Sequence, residues 1–142
     1  MIRLGSLLLA ALALLAGCSS KPPTPPDTVP VKGKVLLPSG QPLRAGRVEL
    51  IAKKRPPSLD AFGDIEQDGS FILSSIKTDD GAVPGDYVAT ISTMNYRAKG
   101  GSPKRIPNAA EVPKRYQDPN TSDLKVTIEQ GKDNVLTLRL KQ

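Results

Sequence analysis

No histidine and no tryptophan occur in this chain of 142 residues, and cysteine occurs once. The missing histidine removes the commonest general base, the commonest neutral metal ligand and the usual near-neutral pH switch. Histidine-dependent chemistry is excluded. A single cysteine cannot form an intrachain disulfide. Aromatic residues make up only 4% of the chain, so a core must be assembled mainly from Val, Ile, Leu and Ala. No stretch carries a convincing 3.6-residue apolar stripe. Fourteen prolines and twelve glycines also work against a helical bundle, because both residues interrupt helices. They suit short strands and many turns. Acidic residues are in deficit, 14 against 20 Lys and Arg, for a net charge of +6. The densest basic stretches, "AKKRPPS" (52–58) and "RAKGGSPKR" (97–105), are of a kind that can hold phosphate or anionic lipid heads but is more often a solvated loop. No aromatic side chains alternate with them as stacking platforms, so no nucleic-acid partner is expected.

What is present begins with "MIRLGSLLLAALALLAGC". A short basic start ending at Arg3 precedes an apolar run over residues 4–17, shorter than the ~20 residues of a spanning helix, as in a signal peptide. Leu15-Ala16-Gly17-Cys18 follows directly. This resembles the lipobox of bacterial lipoproteins. The resemblance implies that residues 1–17 are a signal peptide, that Cys18 carries a diacylglyceryl group on sulfur, and that Cys18 becomes the first residue after cleavage. The thiol is then an attachment point to a membrane. Two or more acyl chains anchor stably where one does not, so the protein is expected on the exported side of the bacterial cell envelope, on the cell or outer membrane. Ser19 follows, a residue that goes with outer-membrane sorting in enterobacterial lipoproteins.

Residues 18–29 read as a tether. "SSKPPTPPDTVP" (19–30) holds five prolines in twelve residues, a composition for polyproline II and a spacer between lipid and folded domain. From there the period becomes two. "VPVKGKVLLP" sets Val29, Val31, Gly33, Val35 and Leu37 on one face and Lys32 and Lys34 on the other, a strand buried on one side. "AGRVELIAK" (45–53) gives a second strand with Val48, Leu50 and Ala52 inward. "AFGDIEQDGSFILSSI" (61–76) reads as a hairpin with Phe62, Asp64 and Ile65 on one arm, Phe71 to Ile76 on the other, and Asp68-Gly69 at the turn. "VPGDYVATISTM" (83–94) is a β-branched strand opened by a turn whose central pair, Pro84-Gly85, fits type II. "SDLKVTIEQGKDNVLTLRLK" (122–141) reads as another hairpin, with Leu124, Val126 and Ile128 on one arm and Val135, Leu136, Leu138 and Leu140 on the other. The expectation is an all-β domain over 30–142, a seven-stranded antiparallel β-sandwich. Residues 95–121 form a long irregular stretch that Ile106, Val112 and Tyr116 would pin to the sheet edge, and loops of this length are usually functional or mobile.

"VKGKVLLPSGQPLRAGRVEL", "GDIEQDGSFIL", "DGAVPGDYVATI" and "VPKRYQDPNTSDLKVTIEQGKDNVLTLRL" together resemble the carboxypeptidase regulatory-like (transthyretin-like) domain, as found in small bacterial lipoproteins. The resemblance implies a prealbumin-like sandwich of Ig-like architecture, serving as a non-catalytic module. Gly69 is expected to supply a positive φ after Asp68. Tyr87 is expected to pack its ring inward while its hydroxyl reaches loop backbone.

Three sharper chemistries were weighed. A transthyretin-like hydroxyisourate hydrolase needs histidines, which are absent. Asp64, Glu66 and Asp68 alternate faintly like a calcium loop, yet the late bidentate Glu is missing and the turn explains Asp68-Gly69. A Lys–Asn isopeptide bond would join Lys32 or Lys34 to Asn134 with Glu49 as helper, but alternation puts both lysines opposite the valines. The sequence therefore points to no enzyme, no cofactor and no metal. It points to a lipid-anchored monomer with an envelope protein or a glycan as partner, the long loop as its contact, or else to a structural envelope role.

Overall fold

A computed structural model describes residues 24–55, 58–93 and 107–142. Residues 1–17, Cys18, the first half of the tether and the stretch 94–106 with Ile106 lie outside the described residues. Within them the chain is all-β, with seven strands in two sheets and two single-turn 3₁₀ helices.

Alternation dictates the first layer. In β1 (Val31–Leu36) Val31 and Val35 are buried while Lys32 and Lys34 are exposed. β4 (Ser70–Ile72) pairs antiparallel with one side of β1, Lys32 opposite Ile72. β7 (Asn134–Arg139) pairs with the other side, Lys32 opposite Val135. The second layer is β3 (Ala61–Asp64), β2 (Arg47–Ala52), β5 (Gly85–Ser92) and β6 (Lys125–Ile128), antiparallel throughout. Val48 and Leu50 of β2, Tyr87, Ala89 and Ile91 of β5 and Val126 and Ile128 of β6 turn inward to meet Val31, Val35, Phe71 and Leu138. The arrangement is sandwich-like, and one core serves all the described segments.

Three expectations about strand pairing need correction. The β1–β7 pairing is parallel, so the sandwich is not wholly antiparallel. The 122–141 segment is not a hairpin: β6 joins β5 in one sheet and β7 joins β1 in the other. Alternation fixes which face is buried but not which strand is the neighbour, and two arms facing each other across a core show the same pattern as two arms side by side. The 61–76 segment has its turn where expected, closed by Gly69 N–H donating to Glu66 O at 2.9 Å. Its arms also enter different sheets, meeting only at an isolated Phe62–Ser74 bridge.

Side-chain directions follow. Val135 is 60% exposed, while Leu138 and Leu140 are buried, because adjacent strand residues cannot share a face. Phe62 likewise points out, with Ala61, Gly63 and Ile65 inward. Gly69 has the expected positive φ of 83°. Pro84-Gly85 is not the expected type II turn. Gly85 has a φ of 156°, away from the value near +80° that such a turn needs, and it already pairs with Ile128 as the first residue of β5.

Candidate interaction surface

Tyr87 and Tyr116, both fully buried, hold the two ends of the body together. Tyr87 sits two residues into β5 with its ring in the core, and its hydroxyl donates to the Val83 carbonyl at 2.5 Å. Burial pushes its phenol pKa up, with the Ser58 side chain opposing that shift. This is the corner role expected for it.

Residues 107–121 are pinned to the body by Val112 and Tyr116, as expected, while most of their other side chains are exposed. The 3₁₀ turns Ala109–Glu111 and Lys114–Gln117 bracket Val112, which is buried, and deliver Tyr116 into the core. The Tyr116 oxygen accepts from the Lys141 N–H and from Arg115 Nη2, each at 2.9 Å. The Arg115 guanidinium lies 4.8 Å from the Tyr116 ring centre and also donates to the Lys141 carbonyl at 2.8 Å. The described part of the long loop thus plugs the body beyond the end of β7. Its remainder falls outside the described residues.

The loop between β4 and β5 has a similar internal lock. The Asp80 carboxylate accepts from the N–H groups of Ser75, Ile76 and Lys77 at 2.7, 3.1 and 2.8 Å. Desolvation acts against its ionised form, but these three donors outweigh it and hold the pKa below the ordinary value of 3.8. A folded-state pKa below the unfolded one means stability that is complete above pH 3.8 and is lost as pH falls through the folded value. The wild-type protein should therefore lose more stability below pH 3.8 than Asp80→Asn does. Acid unfolding of the two proteins followed by circular dichroism checks this, and parallel curves would refute it. At neutral pH, Asp80→Ala should cost about 1–2 kcal/mol through the three stranded donors.

This locked loop forms one wall of a groove of about 750 Å³ where β3 and β4 part company. Its lining includes Phe62, Asp64, Ser70, Ile72, Ile76 and Asp79. Phe62 is 44% exposed, Ile72 54% and Ile76 42%. These are three of the five large hydrophobics exposed among the described residues, gathered at one place. Phe62 is braced on one side by the Arg47 guanidinium, 4.9 Å from its ring centre, while Arg47 Nε donates to Asp64 Oδ1 at 2.9 Å. A second, smaller hollow between Pro38, Ser39, Glu111 and Gln142 lies beside the Tyr116 plug.

Of the three carboxylates that alternate like a calcium loop, Asp64 and Asp68 are engaged elsewhere. Asp64 is paired with Arg47. Asp68 caps its own turn, accepting from Ser70 Oγ at 2.6 Å and Ser70 N at 2.9 Å, and the Ser70 hydroxyl is the main cause that keeps its pKa low. No group of three potential metal ligands converges among the described residues. Asn134, the partner imagined for a lysine, has its amide committed to the preceding turn: its oxygen accepts from Glu129 N at 3.0 Å, and its nitrogen donates to the carbonyls of Glu129 and Lys132 at 3.0 and 3.1 Å.

Sequence reasoning missed the groove. Only two of its residues left a trace in the sequence, Phe62 and Ile72, large apolar residues out of step with the inward alternation of β3 and β4. Compared with known proteins, the chain matches no family model, no curated protein and no solved structure.

Proposed function

We propose that this chain is a lipid-anchored, non-enzymatic protein of the bacterial cell envelope, whose sandwich-like domain serves as a binding or adaptor module. The reading takes the domain as transthyretin-like and takes Cys18 as the lipid attachment residue, on the strength of the Leu15-Ala16-Gly17-Cys18 motif and the proline-rich segment after it. The observation that carries the binding role is the groove between β3 and β4, where exposed Phe62, Ile72 and Ile76 meet. Contiguous exposed apolar surface rimmed by polar groups is a mark of interaction sites. The ionisable groups around it are spent on structure, Asp64 on Arg47 and Asp80 on its own loop, which favours a recognition surface over a reactive one.

The test is in-cell photo-crosslinking from a probe placed at Ile76, followed by mass spectrometry of the adduct. One dominant envelope protein or glycan is expected, and it should disappear in Cys18→Ser, which loses its location. Crosslinks spread over many abundant proteins would sink the adaptor role and leave a structural one.

A further inference from the structure

The two outer faces of the sandwich carry different charge. On the four-stranded sheet the outward positions hold Arg47 and Lys125 against Glu49, Asp64 and Asp86. The signs are mixed, and Arg47 is already paired with Asp64. On the three-stranded sheet the rows run Ile72–Lys32–Val135, then Ser70–Lys34–Thr137, then Leu36–Arg139. Three cations stand there with no carboxylate among them. None of the three takes part in an ion pair among the described residues. Asp68, in the turn before β4, has its pKa held low mainly by the Ser70 hydroxyl, with Lys34 near enough for its charge to help, and Asp133 precedes β7; both stand at strand ends rather than in the rows. Lys32 is flanked on both sides by exposed aliphatic side chains, Ile72 at 54% and Val135 at 60%.

We propose that the outer face of the β4–β1–β7 sheet seats on an anionic lipid surface, through Lys32, Lys34 and Arg139 with Val135 at the headgroup boundary. Charge complementarity chooses the occupant: lipid headgroups offer a plane of negative charge, and each basic residue near it is worth roughly a fivefold gain in partitioning. A branched aliphatic beside the lysines suits the boundary below the headgroups. Chain geometry permits the same seat: twelve residues, 19–30, separate Cys18 from the start of β1, and polyproline spacing gives them a reach of about 35 Å. A lipid on Cys18 would hold this face at high local concentration against its own membrane. To that extent the inference rests on the anchoring reading above.

The chain contains no tryptophan, so a single introduced one reports unambiguously. Mature protein purified from cell membranes would carry Val135→Trp, or Ile51→Trp on the opposite face as control, in vesicles of phosphatidylcholine with and without phosphatidylglycerol. Quenching by brominated acyl chains is expected for Val135→Trp in the anionic vesicles only, relieved by salt. Adding Lys32→Gln and Lys34→Gln should weaken the anionic preference roughly 25-fold. Both lysines are exposed, so folding is not at stake. Equal quenching at the two positions, or none at Val135→Trp in anionic vesicles, overturns the seat. The mass of the N-terminal peptide tests the anchor separately. Should it lack lipid, the anchoring reading fails, and cosedimentation of the same protein with preformed anionic vesicles decides the face alone: salt-sensitive binding that the lysine changes weaken upholds it, and no binding overturns it.

Discussion

Replacing Tyr116 by alanine should cost about 4 kcal/mol, since it empties a fully buried aromatic site. In a domain of this size that lowers the melting temperature by about 15 °C. The cost has two parts that a second variant separates. Tyr116→Phe keeps the ring and removes only the oxygen that receives Lys141 N–H and Arg115 Nη2, for about 1–2 kcal/mol. The remainder belongs to packing against the core. Thermal unfolding of the three proteins gives both numbers. A near-neutral Tyr116→Ala would mean that residues 107–121 are an appendage, whereas the burial of Val112 and Tyr116 ties them to the body. The measurement thus decides whether the long connection is available for binding or is consumed by folding.

Gly81→Ala is expected to be as severe, at about 3–4 kcal/mol. Two separate penalties meet there. Gly81 has a φ of 87°, in the left-handed region where a side chain is strained. Its missing Cβ would also run into the carbonyl of Val29. That carbonyl accepts from Ala82 N–H at 3.0 Å while Val29 N–H donates to Ala82 O at 2.9 Å, the bridge that ties the chain ahead of β1 to the chain ahead of β5. Gly131 supplies the control. Its φ is 72°, close to that of Gly81, but a Cβ there meets nothing within 4 Å. Gly131→Ala should therefore cost about 1 kcal/mol, the conformational part alone. The difference between the two variants in urea unfolding measures the collision. Equal losses would show that the Val29–Ala82 bridge yields without cost.

The strands were legible because each carries its own alternation over enough residues to overcome chance. Val31 and Val35 against Lys32 and Lys34 is an example that needs no knowledge of any neighbour. Tyr87 was legible for a related reason: a tyrosine just inside a strand, after a turn, has few other ways to satisfy a buried hydroxyl. Pairing was not legible. The turn before Asn134 looks like a hairpin turn, and its internal hydrogen bonds are those of a tight turn, yet it carries the chain from one sheet to the other. The difference lies in partners supplied by residues far away in sequence. The cationic face was half visible, in Lys32 and Lys34, but Arg139 joins it only through the β1–β7 register. The groove required both the divergence of β3 and β4 and the folded loop around Asp80, neither of which any local pattern encodes.

The parallel pairing of the first and last strands also determines how the domain carries mechanical load. A force applied to the segment before β1 and resisted beyond the end of β7 acts along both strands in opposite directions. The hydrogen bonds joining Val31–Leu36 to Asn134–Arg139 then bear that force in shear, all at once, instead of opening one after another as a peeled hairpin would. Resistance of this kind is set by the unfolding barrier rather than by equilibrium stability. A domain pulled between the segment ahead of β1 and a contact beyond β7 would keep its sheet intact until those bonds gave way together.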